Sequence, residues 1–217
     1  MLLKDKDVLI FMGDSVTDAD RVKPDGEGLF NAYGFGYVNM INNFLHVYEP
    51  DKNIRVINKG LSGNTSRDLL ARFDTDCTSY NPDVVSIQIG INDVWRQFDA
   101  PHMPHKHVLI EEYEANLEAM ILKVKDNVRH LIIMSPYYLE LNNEDLMKAK
   151  TLKYIEVAKK LANKYNAIFV NLQEEMEKFL VYKNTNVITW DRVHPGNIGS
   201  LIIAKSFLNA IGFDHKV

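Results

Sequence analysis

The chain has 217 residues, 46% of them hydrophobic, enough for one core that buries roughly 70% of the surface an unfolded chain exposes. Lys and Arg number 25 against 29 Asp and Glu, a net charge of −4, and the basic residues are scattered, which excludes the electrostatic stripe of a nucleic-acid binder. Cys77 is the only cysteine, so no intramolecular disulfide forms, and the first apolar run meets Gly13-Asp14 too soon for a signal peptide or membrane span.

These features make a cytoplasmic protein the simplest expectation, with residues 1–217 forming a single domain. Val8 to Met12 is a short continuous apolar run, the pattern of a strand buried on both faces of a parallel sheet. Four further strands are predicted at Ile54 to Asn58, Val84 to Ile89, Leu131 to Met134 and Ala167 to Asn171. Between them, Tyr37 to Val47, Ser66 to Tyr80, Glu111 to Asn127 and Asp145 to Tyr165 carry apolar residues at helical spacing. Asn64-Thr65-Ser66 supplies capping chemistry for the second helix, and a last helix runs from about Asn197 to Ala210, ending at Gly212.

Strands alternating with helices imply right-handed crossovers, hence an α/β fold: a three-layer α/β/α sandwich on a five-stranded parallel sheet. Val16 to Gly34, Trp95 to Val108, Tyr137 to Asn143 and Lys183 to Asn197 read as irregular. In such sheets ligands sit beyond the carboxyl ends of the strands. Gly13-Asp14-Ser15, Gly60 to Asn64 and Gly90-Ile91-Asn92-Asp93 all leave those ends.

A serine hydroxyl becomes a nucleophile when a neighbouring base accepts its proton and a third group orients that base. Ser15 follows the first strand, and Asp191 stands three residues before His194, placed to reach the imidazole nitrogen remote from the nucleophile. Alone, Ser15 reads as a capping serine and His194 as a loop histidine; together with Asp191 they compose a triad. Acyl transfer also needs donors aimed at a developing oxyanion. The N–H groups of Ser15 and Gly63 and the amide of Asn92 are the candidates.

These blocks resemble those of the SGNH hydrolases, also called GDSL-type esterases. Gly13-Asp14-Ser15 corresponds to the first block, Gly63 to the second, Gly90-Ile91-Asn92-Asp93 to the third and Asp191 to Pro195 to the last, all in order over residues 8 to 212. The resemblance implies a flavodoxin-like sandwich, Ser15 as nucleophile, His194 as general base and then acid, and Asp191 as its orienting group. It also implies an oxyanion hole of Ser15, Gly63 and Asn92, with Asp14 and Asp93 holding the loops. No metal or other cofactor is called for.

Asn92-Asp93-Val94-Trp95-Arg96 and Trp190 to Pro195 further resemble intracellular esterases that deacetylate xylan and xylo-oligosaccharides. Trp95 and Trp190, the only tryptophans, can stack on sugar or wall an acyl pocket. Arg96 and Arg192 either orient a hydroxyl-rich substrate or pair with local carboxylates. His102, His105 and His107 sit in one short stretch, but their spacing fits no common metal site and they read as a polar loop.

The expectation is therefore a serine esterase of small acyl groups, acetyl above all, on oligosaccharides. Two alternatives stay open: a lysophospholipase or thioesterase for longer chains, and a carbohydrate-binding module without chemistry. The absence of an amphipathic lid rich in exposed leucines argues against an interfacial lipase. The narrower resemblance leaves a homo-oligomer open.

Overall fold

The computed structural model describes residues 1–214. The first half of the chain forms β1 (Val8–Gly13), α1 (Ser15–Asp18), α2 (Tyr37–Tyr48), β2 (Arg55–Gly60), α3 (Ser66–Ala71), α4 (Phe73–Asp76), β3 (Val84–Gln88) and α5 (Ile91–Asp99). The second half forms α6 (Ile110–Val124), β4 (His130–Met134), α7 (Leu146–Lys164), β5 (Ile168–Val170), α8 (Leu172–Leu180) and α9 (Gly196–Ala210).

All strands pair in parallel in the order β2-β1-β3-β4-β5. This is the flavodoxin-like order, in which the chain switches direction across the sheet between β1 and β3. Each strand alternates between two cores. Ile10, Met12, Ile57, Val85, Ile87 and Ile133 face α3, α4, α6 and α7, while Leu9, Phe11, Val56, Val84 and Ile132 face α2, α8 and α9. Each fully buried side chain of this size contributes about 1.5–3 kcal/mol, so both helical layers are held firmly. Phe11 shows the packing: its ring lies 5.7 Å from Tyr37 on α2 and 4.9 Å from Phe207 on α9.

Four readings of the sequence need correction. The helix expected over Ser66 to Tyr80 is divided into α3, α4 and a 3-10 turn at Thr78–Tyr80, with Arg72 and Cys77 out of helical geometry at the joints. The segment after Gly90, expected as a loop, opens α5, so Asn92 occupies a first helical turn. Leu172–Leu180, not predicted as a helix, forms α8, and Ser15–Asp18 forms one turn where irregular chain was expected.

Candidate active site

The sheet switch point brings the ends of β1 and β3 side by side. At the end of β1, a Cβ on Gly13 would meet Thr17 Oγ1 at 2.1 Å and the Gln88 carbonyl at 2.7 Å, so only glycine lets the chain turn there. Asp14 Oδ1 then accepts the Val16 N–H at 3.0 Å, which caps α1 and sets Ser15 at its first position. A first helical position has no carbonyl one turn earlier to take its N–H. Ser15 is half-buried, with its hydroxyl aimed at the C-terminal loop.

That loop is built around Asp191. Its Oδ1 accepts the N–H groups of Val193 and His194, each at 2.9 Å, and the Thr189 hydroxyl at 2.9 Å. Its Oδ2 lies 2.5 Å from His194 Nδ1, and His194 Nε2 lies 2.9 Å from Ser15 Oγ. With Nδ1 carrying its proton toward the carboxylate, Nε2 has a free lone pair facing the hydroxyl. Burial works to raise the Asp191 carboxyl, but the bonds from His194, Val193 and Thr189 outweigh it and hold the group below the usual carboxylate range. The Tyr137 hydroxyl fastens the loop from behind by donating to the Val193 carbonyl at 3.0 Å.

Gly63 stands opposite, with φ +83, a left-handed conformation that favours glycine, and open space where a side chain would project. Its loop is pinned to the Ser15 turn at two points: Leu61 N–H donates to the Gly13 carbonyl at 3.0 Å and Ser62 N–H to Asp18 Oδ2 at 2.9 Å. Asn92 is buried, and one amide N–H donates to the Asn64 carbonyl at 2.9 Å, which leaves its second N–H available. Asp93 accepts the Ser66 N–H at 2.9 Å and the Ser66 hydroxyl at 2.5 Å, so it anchors α3 as expected of a loop-holding carboxylate.

The sequence does not single out Arg72. Its guanidinium donates to Asn64 Oδ1 at 2.7 Å, to the Lys59 carbonyl at 2.9 Å and to the Gly13 carbonyl at 3.0 Å, while pairing with Asp76 at 2.8 Å. One side chain thus ties the ends of β1 and β2 to the Gly63 loop. Its only local sequence signal is the Asp76 four residues on; the other partners are distant in sequence. Nor does the sequence single out Thr189, although its place two residues before Asp191 suits a side chain that bonds a turn.

The tryptophans part company. The Trp95 ring lies 5.9 Å from that of His194, and the Arg96 guanidinium lies 4.9 Å over the Trp95 ring while pairing with Asp99 at 2.8 Å. Trp190 is 87% exposed. Arg192 pairs with Glu140 at 3.0 Å and reaches Asp145 at 3.7 Å, so local carboxylates occupy it. Among the described residues no His, Cys, Asp and Glu side chains group to hold a metal, and His107 Nε2 bonds the Ala100 carbonyl at 2.9 Å.

Asp14 gives the site a titration signature. It is wholly buried and its Oδ2 has no partner. Burial pushes its carboxyl up to about 7, against the pull of the Val16 N–H and with a further push from nearby Asp93, itself raised by burial to about 7. A carboxyl raised on folding contributes stability that is fully present below its unfolded value of 3.8 and lost as pH rises through about 7. Asp14→Asn keeps an acceptor for Val16 and cannot ionise. Thermal melts from pH 4 to 8 should therefore show a shallower decline for the variant, by on the order of 2–4 kcal/mol across the range. Parallel curves for the two proteins would count against a neutral Asp14.

A hydroxyl, an imidazole and a carboxylate in line, set at the switch point of a flavodoxin-like sheet, define a serine-hydrolase type of site. A family model described as GDSL-like lipase/acylhydrolase matches residues 11–201, and the chain belongs to that family, as a carboxylic ester hydrolase. The acetylxylan esterase of Geobacillus stearothermophilus is 46% identical over 206 residues, covering 95% of this chain and 94% of that protein. The crystal structure of Axe2, an acetylxylan esterase from the same organism, matches with a TM-score of 0.97 at 45% identity, over 99% of this chain and 98% of that one. LAE5, an α/β hydrolase enzyme from the metagenome of Lake Arreo, Spain, matches with a TM-score of 0.97 at 40% identity over 100% of both chains.

Proposed function

We propose that this chain is a serine esterase that removes acetyl groups from xylan-derived oligosaccharides through an acetyl-enzyme, acting as one hydrolase domain. The observation that carries the reading is the continuous contact from Ser15 Oγ to His194 Nε2 at 2.9 Å and from Nδ1 to Asp191 Oδ2 at 2.5 Å. Likeness to the acetylxylan esterase of Geobacillus stearothermophilus over nearly the whole chain supports the substrate.

In this mechanism Ser15 Oγ attacks the acetyl carbonyl carbon while His194 Nε2 takes the hydroxyl proton. The carbonyl π pair moves onto oxygen, and the N–H groups of Ser15 and Gly63 with the second amide N–H of Asn92 receive that charge. The intermediate collapses, the sugar oxygen leaves with the proton held by His194, and the acetyl group stays on Ser15. Water then attacks the acetyl-enzyme, His194 takes its proton and returns it to Ser15 Oγ, and acetic acid is released. Asp191 holds the imidazole tautomer and balances the imidazolium that forms twice per cycle.

Trp95, beside His194, and Arg96, stacked on Trp95, border the substrate in this reading, and exposed Trp190 offers a face to sugar. A cytoplasmic setting belongs to the same reading. Its support is that Cys77 is the only cysteine, which leaves the chain without an intramolecular disulfide.

Two assays on one preparation test the substrate. Acetate should be released from acetylated xylo-oligosaccharides, and kcat/KM across p-nitrophenyl esters should peak at acetyl and fall by at least about tenfold at octanoyl, the loss expected when a small pocket refuses several methylenes. A peak at octanoyl, with hydrolysis of a lysophospholipid, would move the function to the longer-chain alternative.

A further inference from the structure

Beside Gly63, on the face of α3 and the loop after α5, lies a cavity of about 380 Å3. That volume falls within the roughly 300–1,000 Å3 usual for small-molecule sites. Its walls include Gly63, Arg67, Asp68, Arg96, His105 and Lys106. Rings lead into it from the triad: His194 lies against Trp95, and Arg96 lies over Trp95 and lines the cavity. The cavity thus shares Gly63 with the candidate oxyanion hole and adjoins the triad through Arg96 and Trp95.

The charges of the walls do not cancel. Arg67 is spent on structure: its Nε and Nη2 hold Glu112 at 2.6 and 2.8 Å, and its Nη groups take the His105 and His107 carbonyls at 3.0 and 2.9 Å. These bonds fix the turn that carries His105 and Lys106 over the cavity. Asp68, the single acidic group in the lining, turns one oxygen, Oδ2, back to the Thr65 N–H at 2.9 Å and hydroxyl at 2.7 Å, where it completes the α3 capping box. Arg96 gives one nitrogen to Asp99, which stands outside the lining, while its Nε is buried with no partner. Lys106 is exposed and forms no ion pair among the described residues. The walls thus offer an unmatched ammonium and the edge of a guanidinium whose one carboxylate partner, Asp99, stands outside the cavity, poorly suited to an acetyl methyl and well suited to an anion.

We infer that this cavity is a subsite for a carboxylate carried on the sugar portion of the substrate, a hexuronic acid unit borne by the acetylated oligosaccharide. The inference rests on the esterase reading above and sharpens it: the enzyme deacetylates acidic branched fragments in preference to neutral ones. A carboxylate suits the guanidinium edge of Arg96 that Asp99 leaves open, and Lys106 adds a point charge that steers and holds it.

The test compares acetylated xylo-oligosaccharides of equal length with and without a glucuronic acid branch, using the full chain and reading acetate release. The ratio of the two kcat/KM values is the measurement, so a general loss of activity in a variant cancels. The acidic substrate should be favoured about three- to tenfold at low salt, the range for a partly exposed charge-assisted contact. Lys106→Glu should bring the ratio to one or below, and added salt should shrink it in the wild type. Equal rates on both substrates, or a preference that survives Lys106→Glu and high salt, would overturn the subsite while leaving the esterase reading in place. Release of acetate from neither oligosaccharide, with p-nitrophenyl acetate still hydrolysed, would overturn the oligosaccharide reading and the subsite with it.

Discussion

Ser15→Ala should lower kcat on p-nitrophenyl acetate by between roughly 10^4 and 10^6, the range seen when a triad nucleophile is removed. The loss should leave the melting temperature within a few degrees of the wild type. Ser15 is half-buried, and the only bond of its hydroxyl among those described is the one to His194, so no packing and no cap depend on it. The helix it opens is capped by Asp14, which the substitution leaves untouched. Because serine and imidazole act as one unit, Ser15→Ala combined with His194→Ala should be no slower than Ser15→Ala alone. Steady-state kinetics on the three variants, with circular dichroism melts, decide the matter. Turnover near that of the wild type in the Ser15→Ala variant, or a double variant slower by the product of the two single losses, would mean that hydrolysis runs through another group.

Much of this arrangement is readable from residue order because its parts are local. The Asp191 to His194 contact spans three residues, and the bonds that Asp191 accepts from Thr189, Val193 and His194 come from the same short loop. The strands are equally local, since a run such as Val8 to Met12 has no other stable place than a sheet covered on both sides. What stays hidden is carried by partners far apart in the chain. Helical spacing continues from Ser66 to Tyr80, yet the helix stops at Arg72, whose guanidinium reaches Gly13, 59 residues away, and the Lys59 carbonyl. No window of sequence reveals those acceptors. The sequence puts Asn92 at the strand end but in turn rather than helical backbone, because Gly90 and the polar Asn92-Asp93 pair read as a turn. The helix owes its place to Ile91 and Val94, which are buried against the core. The missed α8 is different, for its signals were present: Asn171 caps it, acids fill its first turn, and Leu172, Met176 and Leu180 recur every four residues.

Asp191→Asn should cut kcat by on the order of 10^4 while preserving the fold, a larger penalty than a lost surface charge could give. The asparagine carbonyl can take the place of Oδ1 and keep the N–H groups of Val193 and His194, each now bonded at 2.9 Å, so the loop retains its shape. Its amide then stands where Oδ2 was, 2.5 Å from His194 Nδ1, and an amide nitrogen only donates. Nδ1 must become the acceptor, the ring proton moves to Nε2, and Nε2 now donates toward Ser15 where it should accept. The base is lost although every heavy atom stays in place. Asp191→Ala removes the tautomer control and also orphans two backbone N–H groups and the Thr189 hydroxyl, so it should lose stability as well as rate, by about 1–3 kcal/mol. Comparing kcat and melting temperature for the two variants separates orientation from loop support. Equal melting temperatures for both would show that Asp191 does not support the loop, and an asparagine variant within tenfold of wild-type kcat would show that it does not govern the imidazole.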